Sequence, residues 1–254
     1  MRKKDKTQAI SKSIETGERY ALSFIDSRRY TQHNLLLGDG LGPLLQYFDT
    51  LPAGGSKVNP LRAIEDGDIS LAHVEYHIEP YGHVVGFEVH RWEDDRIVEH
   101  WDNLQAIPQC TNPSGHTMLD GVTEVADLAS TQTNKKLVGA FVTDVLIARS
   151  AQRLDESLPD GAYVQHNPHW GDDAAQLNAL LATDTGTESV VHYRLHRVIG
   201  EGNFCVTFSE GVANGLPAAI FDMFRLEDGR VSEHWDVIEP IPPRHQWRND
   251  NGKF

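Results

Sequence analysis

Two places in this 254-residue chain set an imidazole and a carboxylate two positions apart, His100 with Asp102 and His234 with Asp236. Residues two apart share one face of a strand. On a strand that lines a pocket, such a pair projects inward together. Burial disfavours a charged carboxylate and raises its pKa toward the range that serves general acid–base catalysis near neutrality. Asp102 and Asp236 are therefore the candidate base or acid, with His100 and His234 orienting or sharing the proton. The alternative is structural: each aspartate caps the turn that follows and each histidine is a satisfied core residue.

Both pairs belong to one repeated stretch, Arg96-Ile97-Val98-Glu99-His100-Trp101-Asp102 and Arg230-Val231-Ser232-Glu233-His234-Trp235-Asp236. Upstream, Phe87, Arg91, Glu93 and Asp94 meet Phe221, Arg225, Glu227 and Asp228. Further back, Tyr30 and Gln32-His33-Asn34 meet Tyr163 and Gln165-His166-Asn167. A repeat of somewhat over one hundred residues has the size of a domain rather than of a solenoid unit. The expected partition is a first domain over 1–110, a linker over 111–133 rich in Pro, Gly, Ser, Thr and Asp, and a second domain over 134–254. The polar tail from Arg244 to Phe254 is expected on the surface.

Each copy must position its pair with helices followed by an antiparallel meander, an α+β arrangement. In the first copy, a helical run over Thr7–Phe24 is broken by Gly17, and Asp39 caps a helix that carries Pro43 in its first turn and ends at Leu51-Pro52-Ala53. Strands are expected over Arg62–Glu65, Ile69–Ile78, Val84–Trp92 and Ile97–Ile107, with Glu79-Pro80-Tyr81-Gly82 as one of the turns. The second copy repeats the order, with helices over Lys135–Ala148, Ala151–Ser157 and Asp172–Leu181 and strands from Ser189 onward.

A net charge of -14 repels nucleic acid and anionic membrane alike, so neither is an expected partner. No apolar run reaches membrane-spanning length, and the basic start Met1 to Lys6 is followed by polar residues rather than a signal core, so the cytoplasm is expected. Cys110 and Cys205 occupy different places in the repeat, which gives no disulfide framework. Thirteen histidines invite a metal, but no His-Glu-x-x-His, Cys-x-x-Cys or calcium loop is present. No phosphate-cradling glycine loop or nucleophile elbow occurs either. The expectation is no metal and no cofactor.

The Gln-His-Asn segment, the Asp66-Gly67-Asp68 and Glu201-Gly202-Asn203 hairpins and the closing Phe-x-x-x-Arg-x-Glu-Asp-x-Arg-[Ile/Val]-x-Glu-His-Trp-Asp resemble the SnoaL-like branch of the NTF2-like superfamily. More closely, both halves resemble its predicted aldol-condensation-catalysing group. The resemblance implies two tandem NTF2-like α+β cones, each a curved antiparallel sheet around a pocket roofed by N-terminal helices. It implies a small-molecule ligand in one or both pockets and cofactor-independent acid–base chemistry, an aldol-type condensation, cyclisation or isomerisation, on a carbonyl or polyketide-like compound. Non-catalytic binding of an apolar ligand and epoxide hydrolysis are the alternatives.

By strand order, the sites of limonene epoxide hydrolase, a member of the superfamily, fall on His73, Glu75 and Asp102 and on Phe208, Glu210 and Asp236. His73, Glu75 and His77 share a strand face, which either lines the pocket or is a solvated polar face. The fold implied places His33 and His166 at the mouth of the cone, where they either bond a substrate oxygen or pack beneath an asparagine turn. The expected substrate-binding set is thus His33, His73, Glu75, His166, Phe208 and Glu210. Trp101 and Trp235 face away from the pocket. They are expected to be buried where the two halves pack sheet to sheet as an intramolecular pseudo-dimer, with a homodimer left open.

Overall fold

The structure, a computed structural model, describes residues 1–51, 54–79, 81–158, 163–182 and 189–254. The turns expected at Pro52-Ala53 and Pro80 lie outside the described residues. The chain forms two compact units, Met1–Ile107 with Pro242–Phe254, and Pro108–Ile241. No helix among the described residues is long and apolar enough to cross a membrane.

Unit 1 opens with α1 (Lys3–Thr16), which ends where Gly17 takes φ 69°, followed by a 3-10 turn over Tyr20–Phe24. Then come β1 (Thr31–Gln32), α2 (Leu41–Thr50), β2 (Lys57–Asp66), β3 (Ile69–Ile78), β4 (Gly82–Glu93) and β5 (Arg96–Ala106). The sheet order is β1-β5-β4-β3-β2, with β1 parallel to β5 and the rest antiparallel. Ile10, Leu22, Phe24, Leu44 and Phe48 from the helical segments pack on Trp92 and Ile97 of the sheet. Each such burial is worth about 1.5 to 3 kcal/mol.

Unit 2 repeats the plan. Its helices are α3 (Thr131–Ala140), continued by a wider helical turn over Phe141–Ile147, α4 (Ala151–Ser157) and α5 (Ala174–Leu181). Its strands are β6 (Val164–Gln165), β7 (Val190–Glu201), β8 (Phe204–Ala213), β9 (Leu216–Glu227) and β10 (Arg230–Pro240), ordered β6-β10-β9-β8-β7. The architecture is α+β in both units, as the pattern of helices before strands predicts.

Three local expectations change. Asp39 does not cap α2, which starts after Gly40 at φ 80°. Asp39 Oδ1 instead accepts a hydrogen bond from the Gln32 amide at 2.9 Å, and Asp172 Oδ1 accepts the equivalent bond from Gln165 at 2.9 Å. The span 111–133 is not a free connector: Asn112 and Met118 are buried within unit 2. The C-terminal tail is not a surface appendage either, since Asn249 and Lys253 are buried within unit 1.

The reason is visible in the backbone. The two-residue strands β1 and β6 sit at a sheet edge, where outward carbonyls need donors. Asn251 Nδ2 donates to the Gln32 carbonyl at 2.9 Å, and Asn112 Nδ2 donates to the Gln165 carbonyl at 2.6 Å. Two straps that read as polar loops therefore complete the two sheet edges.

Candidate functional site

The repeated motifs are the two sides of one parallel ladder. Thr31 pairs with Glu99 and Gln32 with His100, so alternation sends Gln32, Asn34, His100 and Asp102 to the helix-covered face and His33, Glu99 and Trp101 to the other. In the antiparallel neighbour, Glu88 pairs with Asp102 and His90 with His100. Four chemically able side chains thus meet on adjacent strands.

His100 is the hub of the inner face. Its Nε2 lies 2.9 Å from Glu88 Oε2 and its Nδ1 lies 2.9 Å from Gln32 Oε1. Both acceptors want a proton, so the ring is held as an imidazolium. Burial opposes that charge, but the hydrogen bond to Glu88 and the charges of Glu88 and Asp102 raise the His100 pKa above the ordinary imidazole value. Tyr76 donates its hydroxyl to Glu88 Oε1 at 2.8 Å, which completes that carboxylate.

Asp102 is only half satisfied. Asn34 Nδ2 donates to its Oδ2 at 2.6 Å, while Oδ1 is buried and accepts no hydrogen bond. The ammonium of Lys253, brought in by the C-terminal strap, lies 3.6 Å from Oδ1. His90 stands beside them, its ring stacked on His100 at 4.9 Å. Burial first, and then the neighbouring charge of His100, push its pKa well below the usual value, so it is neutral.

These groups line a cavity of about 80 Å³ whose other walls are apolar, among them Ile10, Ile14, Leu44, Phe48 and Leu104. Tyr47, Asn34, Glu88, His90, His100 and Asp102 supply its polar side. One polar end and one greasy end suit an organic ligand with a single oxygen-bearing function.

The other six expected site residues are elsewhere. His33 lies on the outer face, its Nε2 2.9 Å from Glu99 Oε1 and its ring stacked on Trp101 at 4.7 Å. His166 does the same with Glu233 at 2.9 Å and Trp235 at 4.5 Å. Glu99 and Glu233 are held below the usual carboxylate range against the effect of burial, by His33 with Arg91 and by His166 with Arg225. The two histidines serve a structural ladder, not the cavity.

Strand parity also removes His73, Glu75, Phe208 and Glu210. On β3 the cavity face carries Tyr76 and Ile78, so the odd positions turn outward. His73 packs its ring on Phe87 at 4.8 Å, and Glu75 accepts from Asn59 at 3.0 Å and meets His83 at 2.9 Å. Phe208 stacks on Phe221 at 4.1 Å and Glu210 meets His196 at 3.3 Å. The arrangement borrowed from an epoxide hydrolase does not assemble here.

Sequence reading missed Glu88, His90 and, in the second half, Asp222 and His192. Glu88 and Asp222 carried a signal. Each follows the repeated phenylalanine, Phe87 or Phe221, so the carboxylate is retained between halves.

Unit 2 keeps the frame with other neighbours. His234 Nε2 lies 3.1 Å from Asp222 Oδ1, and Asn167 Nδ2 donates to Asp236 Oδ2 at 2.7 Å. Asp222 also meets His192 Nε2 at 3.1 Å and accepts from Thr207 at 3.3 Å. Against its burial, the two histidines hold the Asp222 carboxyl well below the usual range, whereas burial pushes Asp236 up. The cavity on this face is about 30 Å³.

Trp101 and Trp235 are both buried, as expected. Trp235 donates to the Asp120 carbonyl at 3.0 Å, and a side chain at Gly121 would collide with it.

No protein-family model and no curated protein sequence matches the chain. In fold, the chain is similar to NTF2-like proteins. An NTF2-like protein of unknown function from Burkholderia xenovorans LB400 is 21% identical, with 48% of this chain and 97% of that one covered and a TM-score of 0.35. An NTF2-like protein of unknown function from Mesorhizobium loti is 18% identical, with 42% and 96% covered and a TM-score of 0.34. An LEH-like epoxide hydrolase of M. tuberculosis is 20% identical, with 43% and 85% covered and a TM-score of 0.34. No activity follows from these likenesses.

Proposed function

We propose that unit 1 binds a small, largely apolar carbonyl compound and moves a proton on the carbon next to the carbonyl, without a cofactor. Asp102 is the base. The observation that carries this reading is its Oδ1, a buried carboxylate oxygen with no hydrogen bond, on the polar side of a cavity whose remaining walls are apolar. The C–H proton passes to Oδ1 and the electron pair moves onto the carbonyl oxygen as an enolate. The fixed positive charge of His100, balanced by Glu88, stabilises that enolate, and neutral His90, whose Nδ1 meets Thr7 Oγ1 at 3.1 Å, donates to it through Nε2. Return of the proton at another carbon gives isomerisation, and attack of the enolate on a second carbonyl gives an aldol-type condensation or cyclisation.

His100 is a positioning residue in this scheme, because both ring nitrogens are already engaged. Identifying any small molecule that co-purifies with the protein by mass spectrometry supplies the compound to test. Its α-protons should exchange with D₂O in the presence of wild-type protein. Asp102→Asn should slow that exchange by roughly 10² to 10⁴-fold, the usual contribution of a positioned base. Unchanged exchange in Asp102→Asn would make the pocket a binding module, a reading its apolar walls also favour.

A further inference from the structure

Unit 2 holds two buried carboxylates, Asp222 and Asp236, beside two histidines, His192 and His234. Their counterparts in unit 1, Glu88 and Asp102, are balanced by imidazolium His100 and by Lys253. Nothing equivalent to that lysine reaches Asp236 among the described residues. Asp236 is 3% exposed, its Oδ1 has no hydrogen-bond partner, and Asn167 occupies only Oδ2. A bare carboxylate oxygen next to a second buried carboxylate is costly unless a cation joins them.

We propose that Asp222, His234 and Asp236, with His192 as a fourth donor, bind one divalent first-row transition ion of the zinc type. Donor atoms of Asp222, His234 and Asp236 all lie within 4.8 Å of one another. His192 Nε2 is 3.1 Å from Asp222 Oδ2, as His234 Nε2 is from Oδ1. Two imidazoles and two carboxylates form a borderline donor set that suits zinc better than calcium or magnesium. With neutral imidazoles, the ion cancels both negative charges. Gln165 meets His234 Nδ1 with Oε1 at 3.2 Å and with Nε2 at 3.0 Å, and the tautomer in which Nδ1–H donates to Oε1 leaves Nε2 to the metal. His192, Asp222 and His234 also face the adjoining cavity of about 30 Å³, whose remaining walls are chiefly apolar and which is too small for an organic substrate.

Two more clusters offer metal-ligating atoms, Glu75 with His77 and His83, and His116 with Asp120 and His166. The second is compromised, since His166 Nδ1 also lies 2.8 Å from the Thr117 carbonyl and must carry a proton toward it. Both clusters serve as controls.

The test uses the full-length protein, chelator-treated and then titrated with Zn²⁺ or with Co²⁺. The expected result is one ion per chain, a thermal midpoint that rises with Zn²⁺, and the visible absorption of four-coordinate Co²⁺. Asp236→Asn and His192→Val, the latter restoring the unit 1 residue Val58 at the matching place, should each weaken binding at least tenfold. Asp102→Asn, His77→Ala and His116→Ala should leave it intact. Absence of stoichiometric binding would overturn the proposal. So would binding that survives both Asp236→Asn and His192→Val, or that disappears in His77→Ala or His116→Ala.

Discussion

Units 1 and 2 share a ladder and differ at what touches its carboxylates. In both, glutamine bridges a tyrosine and the ladder histidine: Gln32 with Tyr30 and His100, Gln165 with Tyr163 and His234. In both, asparagine holds the second carboxylate. Beyond that frame the units part. Tyr76 caps Glu88 from β3, but its place on β8 is taken by Gly211, and His192 reaches Asp222 from β7 instead. Lys253 stands by Asp102, while no such cation reaches Asp236 among the described residues. The duplication kept the residues that shape the site and freed those that set its charge, and one fold therefore carries two electrostatic solutions.

The comparison can be broken most severely at the tryptophans, which are buried in both units. Trp101→Ala and Trp235→Ala should each cost about 3 to 5 kcal/mol in urea unfolding. Trp235→Ala also removes the indole donor to the Asp120 carbonyl. Equal, small losses would show that the outer faces are not packed as described.

A smaller effect is expected at the cation that distinguishes the sites. Lys253→Met leaves the Asp102 carboxylate without its ammonium and should cost unit 1 about 1 to 3 kcal/mol, the range for an uncompensated buried polar group. It turns unit 1 toward the situation of unit 2. If Lys253→Met is neutral, the two sites do not differ in the way proposed.

Smallest is a pH effect of opposite sense in the two units. His100 has a raised folded pKa, so its contribution is complete below the ordinary imidazole value and is lost as pH rises through the folded one. Stability should fall above about pH 6.5 with a slope of up to about 1.4 kcal/mol per pH unit. Glu88→Gln should flatten that slope. Asp222 has a lowered pKa, so its contribution is present above the ordinary carboxylate value and fades only as pH falls below about 3.9. Urea midpoints between pH 3 and pH 9 distinguish the two arms.

Much of this was legible in the residues. The repeat announced two similar units, and alternation in Glu-His-Trp-Asp placed His100 and Asp102 on one face and Trp101 on the other. The same rule applied to Gln-His-Asn would have sent His33 outward. What hid this was β1 itself, a two-residue strand too short to show a period, so its pairing with β5 was invisible. Glu88 was legible from the repeat, yet its role depends on standing across from Asp102, a register that sequence does not display. Lys253 and Asn112 were beyond reach. They sit in polar, aperiodic segments, and only the unmet carbonyls of two short edge strands explain why those segments pack.

The claim that unit 1 performs the chemistry while unit 2 holds a differently charged site is tested most directly by two single substitutions. Deuterium exchange into the identified carbonyl ligand should be followed for Asp102→Asn and for Asp236→Asn. The account predicts exchange lowered by roughly 10² to 10⁴-fold in the first and unchanged in the second. Loss of exchange in Asp236→Asn with retention in Asp102→Asn would contradict it.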